Sequence, residues 1–236
     1  MSLAPGTGHM TQPDESAPLS RHAMLLSTPP EVYFVIVNGA WPSTRIALAS
    51  SGRFVSAAFE AMRDDPSKTA AYDTGDLDYR PYIENSDWIG RWSAPGRTVG
   101  LRYRLDHDAE IVRREHYPLS PSRLSAIFAF GDEGSCERAE AELNWNPQDR
   151  RKFRLIPDSR NRVVRLNMHT YTAARNLYLT ELDFSPSERE QLWLPYWGGK
   201  GPPPRPIQRL PECTPPTGWS TPLWEYLIDG ELELVR

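Results

Sequence analysis

Apolar residues occur along the chain in short runs separated by proline, glycine and charge, and the spacing within each run assigns an element. Residues 32–37 (VYFVIV) are continuously apolar and stop at Asn38-Gly39, which predicts a buried strand closed by a turn. Val55, Ala58, Phe59 and Met62 recur at helical spacing ahead of Asp64-Asp65-Pro66, so residues 54–62 read as a short helix. Residues 99–105 (VGLRYRL) alternate; as a strand they place Arg102 and Arg104 on one face and Leu101, Tyr103 and Leu105 on the other. Residues 124–130 (LSAIFAF) form a second buried strand, with Leu124, Ala126, Phe128 and Phe130 sharing a face. A helix over 136–143 follows, where Asp132 and Glu133 suit the positive end of the helix dipole as capping acids. Residues 153–156 and 163–169 read as a β-pair joined through Pro157, Asp158, Ser159 and Asn161, and His169 has no evident partner. Ser185-Pro186-Ser187-Glu188 has the order of a capped helix start, with Ser185 as cap and Pro186 at the first helical position; the helix is expected to end near Leu192 or Leu194.

The last stretch, residues 223–236 (LWEYLIDGELELVR), carries two runs of β-formers around Asp229-Gly230, a dipeptide suited to a two-residue turn with positive φ at both positions. As a hairpin it pairs Ile228 with Glu231, Leu227 with Leu232, Tyr226 with Glu233 and Glu225 with Leu234. Glu225 is then the one carboxylate on the apolar face, beside Leu227, Leu232 and Leu234. A carboxylate is costly to bury without a partner, so Glu225 is either a structural ion pair or a functional acid.

Composition narrows the classes. A chain of 236 residues supports one domain, and a net charge of −4 gives no long-range attraction for nucleic acid, although residues 150–165 form a local basic stretch. No apolar run approaches a membrane span, and Cys136 and Cys213 are too few for a disulfide framework or a zinc cage. A reducing compartment is the default, and an injected or secreted effector has the same composition. Residues 1–30 lack periodicity, the opening MSLAPGTGHM reads as a cloning remnant, and the fold is expected in residues 31–236. Tyr72, Tyr79, Tyr82, Trp88 and Trp92 lie in a polar segment, either a ligand wall or cover for a core edge, and residues 31–97 either form a substrate-recognition subdomain or complete the central sheet. Gly198 to Pro204 reads as an irregular loop with a stiff proline end.

Zinc, serine-elbow, kinase and dinucleotide signatures are missing. What remains is an order: an arginine-bearing strand, an aromatic strand followed by a helix, and a late strand with one inward carboxylate. That order resembles the ADP-ribosyltransferases. Glu225-Tyr226-Leu227-Ile228 is similar to the late glutamate segment of DarT-type and arginine-specific enzymes, residues 127–130 (IFAF) to the strand beside their nicotinamide pocket, and Tyr103-Arg104-Leu105 to their early Tyr-Arg element. A phenylalanine at Phe128 or Phe130 resembles the CteC-type effector transferases and their bacterial homologues, which use Arg, Phe and Glu to modify a threonine of ubiquitin.

The resemblance implies an α+β fold with a split β-sheet core, short helices and long Pro-rich loops. It implies NAD as substrate and a mono-ADP-ribosyl transfer to a protein acceptor, ubiquitin being the best guess, by a cytoplasmic or secreted effector. Glu225, Arg104 and Phe128 would be catalytic, with Arg102, Arg104, Arg123, Phe128 and Phe130 competing for the contacts to NAD. A DarT-like enzyme acting on nucleic acid and a non-catalytic interaction module are the alternatives, and the oligomeric state stays open.

Overall fold

The computed structural model describes residues 25–37, 52–78, 94–179, 183–199 and 221–236, with side chains of the long helix from residue 103 onward. In chain order the strands are β1 (Val32–Ile36), β2 (Arg53–Val55), β3 (Ile127–Ala129), β4 (Arg150–Leu155), β5 (Arg162–Asn167), β6 (Trp224–Asp229) and β7 (Glu231–Leu234). The helices are α1 (Ala57–Asp64), α2 (Lys68–Thr74), α3 (Ala94–His116), α4 (Glu133–Leu143), α5 (Met168–Tyr178) and α6 (Pro186–Trp197). The fold is mixed α+β with two antiparallel sheets, ordered β1-β4-β7-β2 and β3-β6-β5. Among the described residues no helix is long and apolar enough to cross a membrane.

The two sheets face each other across Tyr33, Val35, Phe153, Leu155, Val163, Ile228 and Leu232. Backbone bonds between Phe34 and Phe130, 2.8 Å in each direction, stitch β1 to the end of β3. Alternation along β6 sends Ile228 into this inter-sheet core and Leu227 to the opposite face, where α3, α5 and α6 pack through Leu105, Ala109, Val112, Leu177, Trp193 and Trp197. Strands β1 and β2 complete the four-stranded sheet, so this part of residues 31–97 belongs to the core architecture. Leu25 and Leu26, left outside the fold by the sequence, clip onto the edge of β5, with Leu26 N–H 2.9 Å from the Val163 carbonyl.

Several local expectations hold. Asp132 caps α4 by accepting from Ser135 N–H at 2.7 Å, and Ser185 and Glu188 form the reciprocal capping box of α6. The first helix is shorter at its start than expected: Phe54 and Val55 pair in β2, and Ser56 caps α1.

Others are overturned. Residues 99–105 are helical, part of α3. Leu105, Ala109 and Val112, all buried, follow a helical period that runs past the alternating window, and the longer pattern wins. Arg102 and Arg104 consequently share no strand face. The terminal hairpin does not form, because both edges of β6 are already taken: Leu227 lies opposite Phe128 on one side and Val164 on the other. β7 instead joins the other sheet, between β4 and β2. Neither Asp229 nor Gly230 has positive φ. Gly230 is needed for close approach, since a Cβ there would lie 2.8 Å from Asn161 Oδ1. The expected pair of residues 153–156 and 163–169 also separates: β4 joins one sheet and β5 the other, and His169 lies in the first turn of α5. The strand over 124–130 contracts to Ile127–Ala129, and α6 continues through Pro195 to Trp197. Tyr72 is a core residue of the α1–α2 pair, while Tyr79, Tyr82, Trp88, Trp92 and Pro202 to Pro204 lie outside the described residues.

Candidate functional site

The turn between α3 and β3 is held from below by buried charge. Arg113, in the last turn of α3, makes a two-pronged contact with Glu110 at 2.8 and 2.7 Å and donates to the carbonyls of Pro118 at 2.6 Å and Ser120 at 2.8 Å. The hydroxyl of Ser122 donates to Glu110 at 2.7 Å, and that of Ser125 to Asp229 at 3.2 Å. A buried pair of this kind adds little net stability against an apolar replacement, but its directional bonds fix geometry. What it fixes is Arg123, carried on the turn.

Arg123 is the centre of the site. Its Nε donates to Asp106 at 3.0 Å; its Nη1 donates to Glu225 Oε1 at 3.1 Å and to the Tyr196 hydroxyl. The Tyr196 hydroxyl in turn donates to the same Glu225 oxygen at 3.1 Å. The guanidinium lies 3.6 Å from the ring centre of Tyr171 and 4.6 Å from that of Phe128. Arg123 and Glu225 side chains are 6% and 4% exposed, whereas Phe128 is 39% exposed. Register explains the meeting: Phe128 and Leu227 are partners, as are Leu166 and Glu225, so Phe128 and Glu225 project from the same face of the sheet. Burial opposes the charged form of Arg123, but the surrounding Tyr196, Glu225, Tyr171 and Asp106 outweigh it and hold its pKa well above the usual value. Burial also raises the Tyr196 hydroxyl far above its ordinary range, so Tyr196 is a neutral donor at physiological pH.

Of the residues singled out from sequence, Arg123, Phe128 and Glu225 come together. Phe130 is in the core with Cys136, Ala139 and Met168. Arg104 projects from α3 and pairs with Asp183 at 2.6 Å, its guanidinium 5.9 Å from the Tyr178 ring centre. The side chain of Arg102 lies outside the described residues. Asp106, Tyr171 and Tyr196 were not anticipated. Asp106 was hidden next to the misread strand, while the buried set Leu192, Trp193, Tyr196 and Trp197 has helical spacing that extends the capped helix far enough to reveal Tyr196. Trp197 donates to the Ala109 carbonyl at 2.8 Å, and that bond seats α6 on α3 with Tyr196 directed at Arg123. Replacing Arg104 with Ala is expected to change stability by less than about 1 kcal/mol, as for a pair with one exposed partner, and to leave the Arg123 cluster intact. Urea unfolding of the variant measures this.

Asp229, next along the Glu225 face of β6, is fully buried, and burial pushes its carboxyl up to about 7 against the opposing Ser125 hydrogen bond. An unfolded aspartate titrates near ~3.9. Between those values the folded chain holds a proton the unfolded chain has lost, so stability from this group is present at low pH and disappears as pH rises to 7. Asp229→Asn is expected to match the wild type near pH 4 and to exceed it at pH 8 by on the order of 4 kcal/mol, in denaturant unfolding at both pH values.

Other clusters are accounted for by structure. His169 meets Glu142 at 2.8 Å, and Tyr178 donates to Asp108 at 2.7 Å. Much of the basic stretch is neutralised: Arg150 pairs with Glu133, Glu137 and Glu140, Arg154 with Glu233, and Arg160 with Asp158. Arg162 and Arg165 lie over the rings of Tyr72 and Trp224. Among the described residues, Glu115, His116 and Glu190 are the one set of metal-ligating types that converge, with ligand atoms within 4.8 Å of each other. Glu115 and His116 sit roughly 15 Å further along α3 than Asp106, at 1.5 Å per residue, and Glu190 is on α6. Open concavities of about 310 and 510 Å³ are lined by other residues, around Arg154 and Glu233 and around Leu26 and Asn161. No protein-family model and no curated protein sequence matches the chain.

Proposed function

We propose that the protein is an NAD-dependent mono-ADP-ribosyltransferase acting on a protein, with Arg123, Phe128 and Glu225 as its working set and a threonine of ubiquitin as the first acceptor to test. One observation supports this above others: an arginine, an exposed phenylalanine and a buried glutamate, drawn from three segments, meet within hydrogen-bonding and stacking range. Both protein bonds to Glu225 fall on Oε1, and Oε2 has no hydrogen-bond partner among the described residues. That oxygen would accept from a ribose hydroxyl and stabilise the positive charge that develops on the sugar as the nicotinamide–ribose bond breaks. The bonding pair leaves with nicotinamide, and the acceptor hydroxyl oxygen closes the new bond to the ribose carbon as its O–H bond breaks and the proton passes to solvent. Phe128 would stack on the nicotinamide ring, worth ~1 kcal/mol. Arg123, with Nε and Nη1 committed to Asp106, Tyr196 and Glu225, acts first as the counter-charge that keeps Glu225 in place.

Incubation with NAD labelled in the adenylate half is expected to label ubiquitin, with release of nicotinamide. Labelling of single-stranded DNA instead would favour the nucleic-acid enzyme, a reading weakened by the pairing of Arg150, Arg154 and Arg160. The mutual neutralisation of Arg123 and Glu225 favours a second reading, a non-catalytic interaction module. Absence of both NAD binding by calorimetry and nicotinamide release would select it.

A further inference from the structure

We propose that Tyr196 is a positioning residue of this site, whose hydroxyl sets the orientation of the Glu225 carboxylate; the role rests on the transferase reading above. The hydroxyl has one proton and accepts through its lone pairs, and both capacities are used here. It accepts from Arg123 Nη1 and donates to Glu225 Oε1, which also takes Nη1 of Arg123 at 3.1 Å. The result is a closed triangle. Arg123 alone constrains Glu225 through one bond, about which the carboxylate can still rotate. The second donor, arriving from α6, removes that freedom and assigns Oε1 to the protein and Oε2 to the substrate.

The position of the hydroxyl is over-determined. Tyr196 is fully buried, with its ring edge-on to Trp193 at 5.7 Å and to Trp197 at 5.0 Å. Trp197 is tied to the Ala109 carbonyl at 2.8 Å and Trp193 to the Tyr178 hydroxyl at 3.3 Å. Tyr178, in the same core, also uses its hydroxyl twice, toward Asp108 and Trp193. What sets Tyr196 apart is that its two partners are the arginine and glutamate of the proposed working set.

Tyr196→Phe tests the role, because it keeps the ring and removes only the hydroxyl. Nicotinamide release from NAD is measured with kcat and KM separated, beside thermal unfolding. Loss of an orienting partner is expected to lower kcat on the order of 10- to 100-fold. The KM for NAD is expected to stay within about threefold, as the hydroxyl does not contact NAD. Stability gives a second measure through a cycle of Tyr196→Phe, Glu225→Ala and the double variant, since alanine, unlike glutamine, removes the acceptor oxygen. The two losses are expected to be non-additive because the groups share one bond, whereas independent packing effects add. Wild-type turnover with an unchanged kcat in Tyr196→Phe, or strictly additive stability losses, overturns the positioning role alone. A wild type that binds no NAD and releases no nicotinamide overturns the transferase reading and this role with it.

Discussion

Glu225→Gln is expected to reduce nicotinamide release from NAD by at least ~100-fold, the scale for losing one pre-organised electrostatic partner of a developing charge. The substitution preserves shape and the ability of Oε1 to accept from Arg123 and Tyr196, but removes the negative charge that Oε2 would present to the sugar. Stability should fall as well, because the Arg123 guanidinium, 6% exposed, keeps only Asp106 as a charged neighbour in direct contact. A charge-assisted bond reduced to a neutral one costs roughly 1–3 kcal/mol. Glu225→Ala is the less informative choice: it breaks a buried pair outright, at ~3–5 kcal/mol, and confuses unfolding with loss of chemistry. Single-turnover nicotinamide release, with urea unfolding of the same preparations, separates the two. Retention of wild-type turnover in folded Glu225→Gln would remove Glu225 from the mechanism.

Arg113→Met is expected to destabilise the fold by ~3–5 kcal/mol in urea unfolding, because it leaves Glu110 buried without its charged partner. Both side chains are at most 2% exposed, so water cannot take the place of the lost bonds. The carbonyls of Pro118 and Ser120 lose their donor at the same time, and the turn that carries Arg123 is released. The double variant Glu110→Gln/Arg113→Met removes both charges and should recover a large part of the stability. It should not recover turnover, since the turn would still lack the donor that sets it. Recovery of both would show that Arg113 acts through charge balance alone and has no part in holding Arg123.

The local grammar of the chain was legible. A continuous apolar run identified β1, alternation placed Glu225 beside Leu227 on one face of β6, and polar residues ahead of apolar periodicity located the caps of α4 and α6. Residues 99–105 were misread because a window that short satisfies both periods, and only the continuation to Ala109 and Val112 decides between them. Asp229-Gly230 was misread because turn propensity is local while strand pairing is a competition. β3 and β5 occupy both edges of β6, and β7 is left to close the other sheet.

By itself, then, the sequence determined an α+β chain with Glu225 beside Leu227 on one strand face and an arginine and a phenylalanine upstream of it; that Asp229 is a second buried carboxylate on that face came only with the loss of the hairpin. Period and capping are short-range properties, carried by neighbours along the chain. Tertiary structure alone decided which arginine meets Glu225 and Phe128: Arg123, held by Glu110 and Arg113 on a turn, rather than Arg104, whose place on α3 directs it to Asp183. It also supplied Tyr196, Tyr171 and Asp106, which come from helices far apart in sequence. Their meeting at Arg123 follows from how α3, α5 and α6 stack on one sheet face, and that packing is a long-range outcome that no single segment encodes.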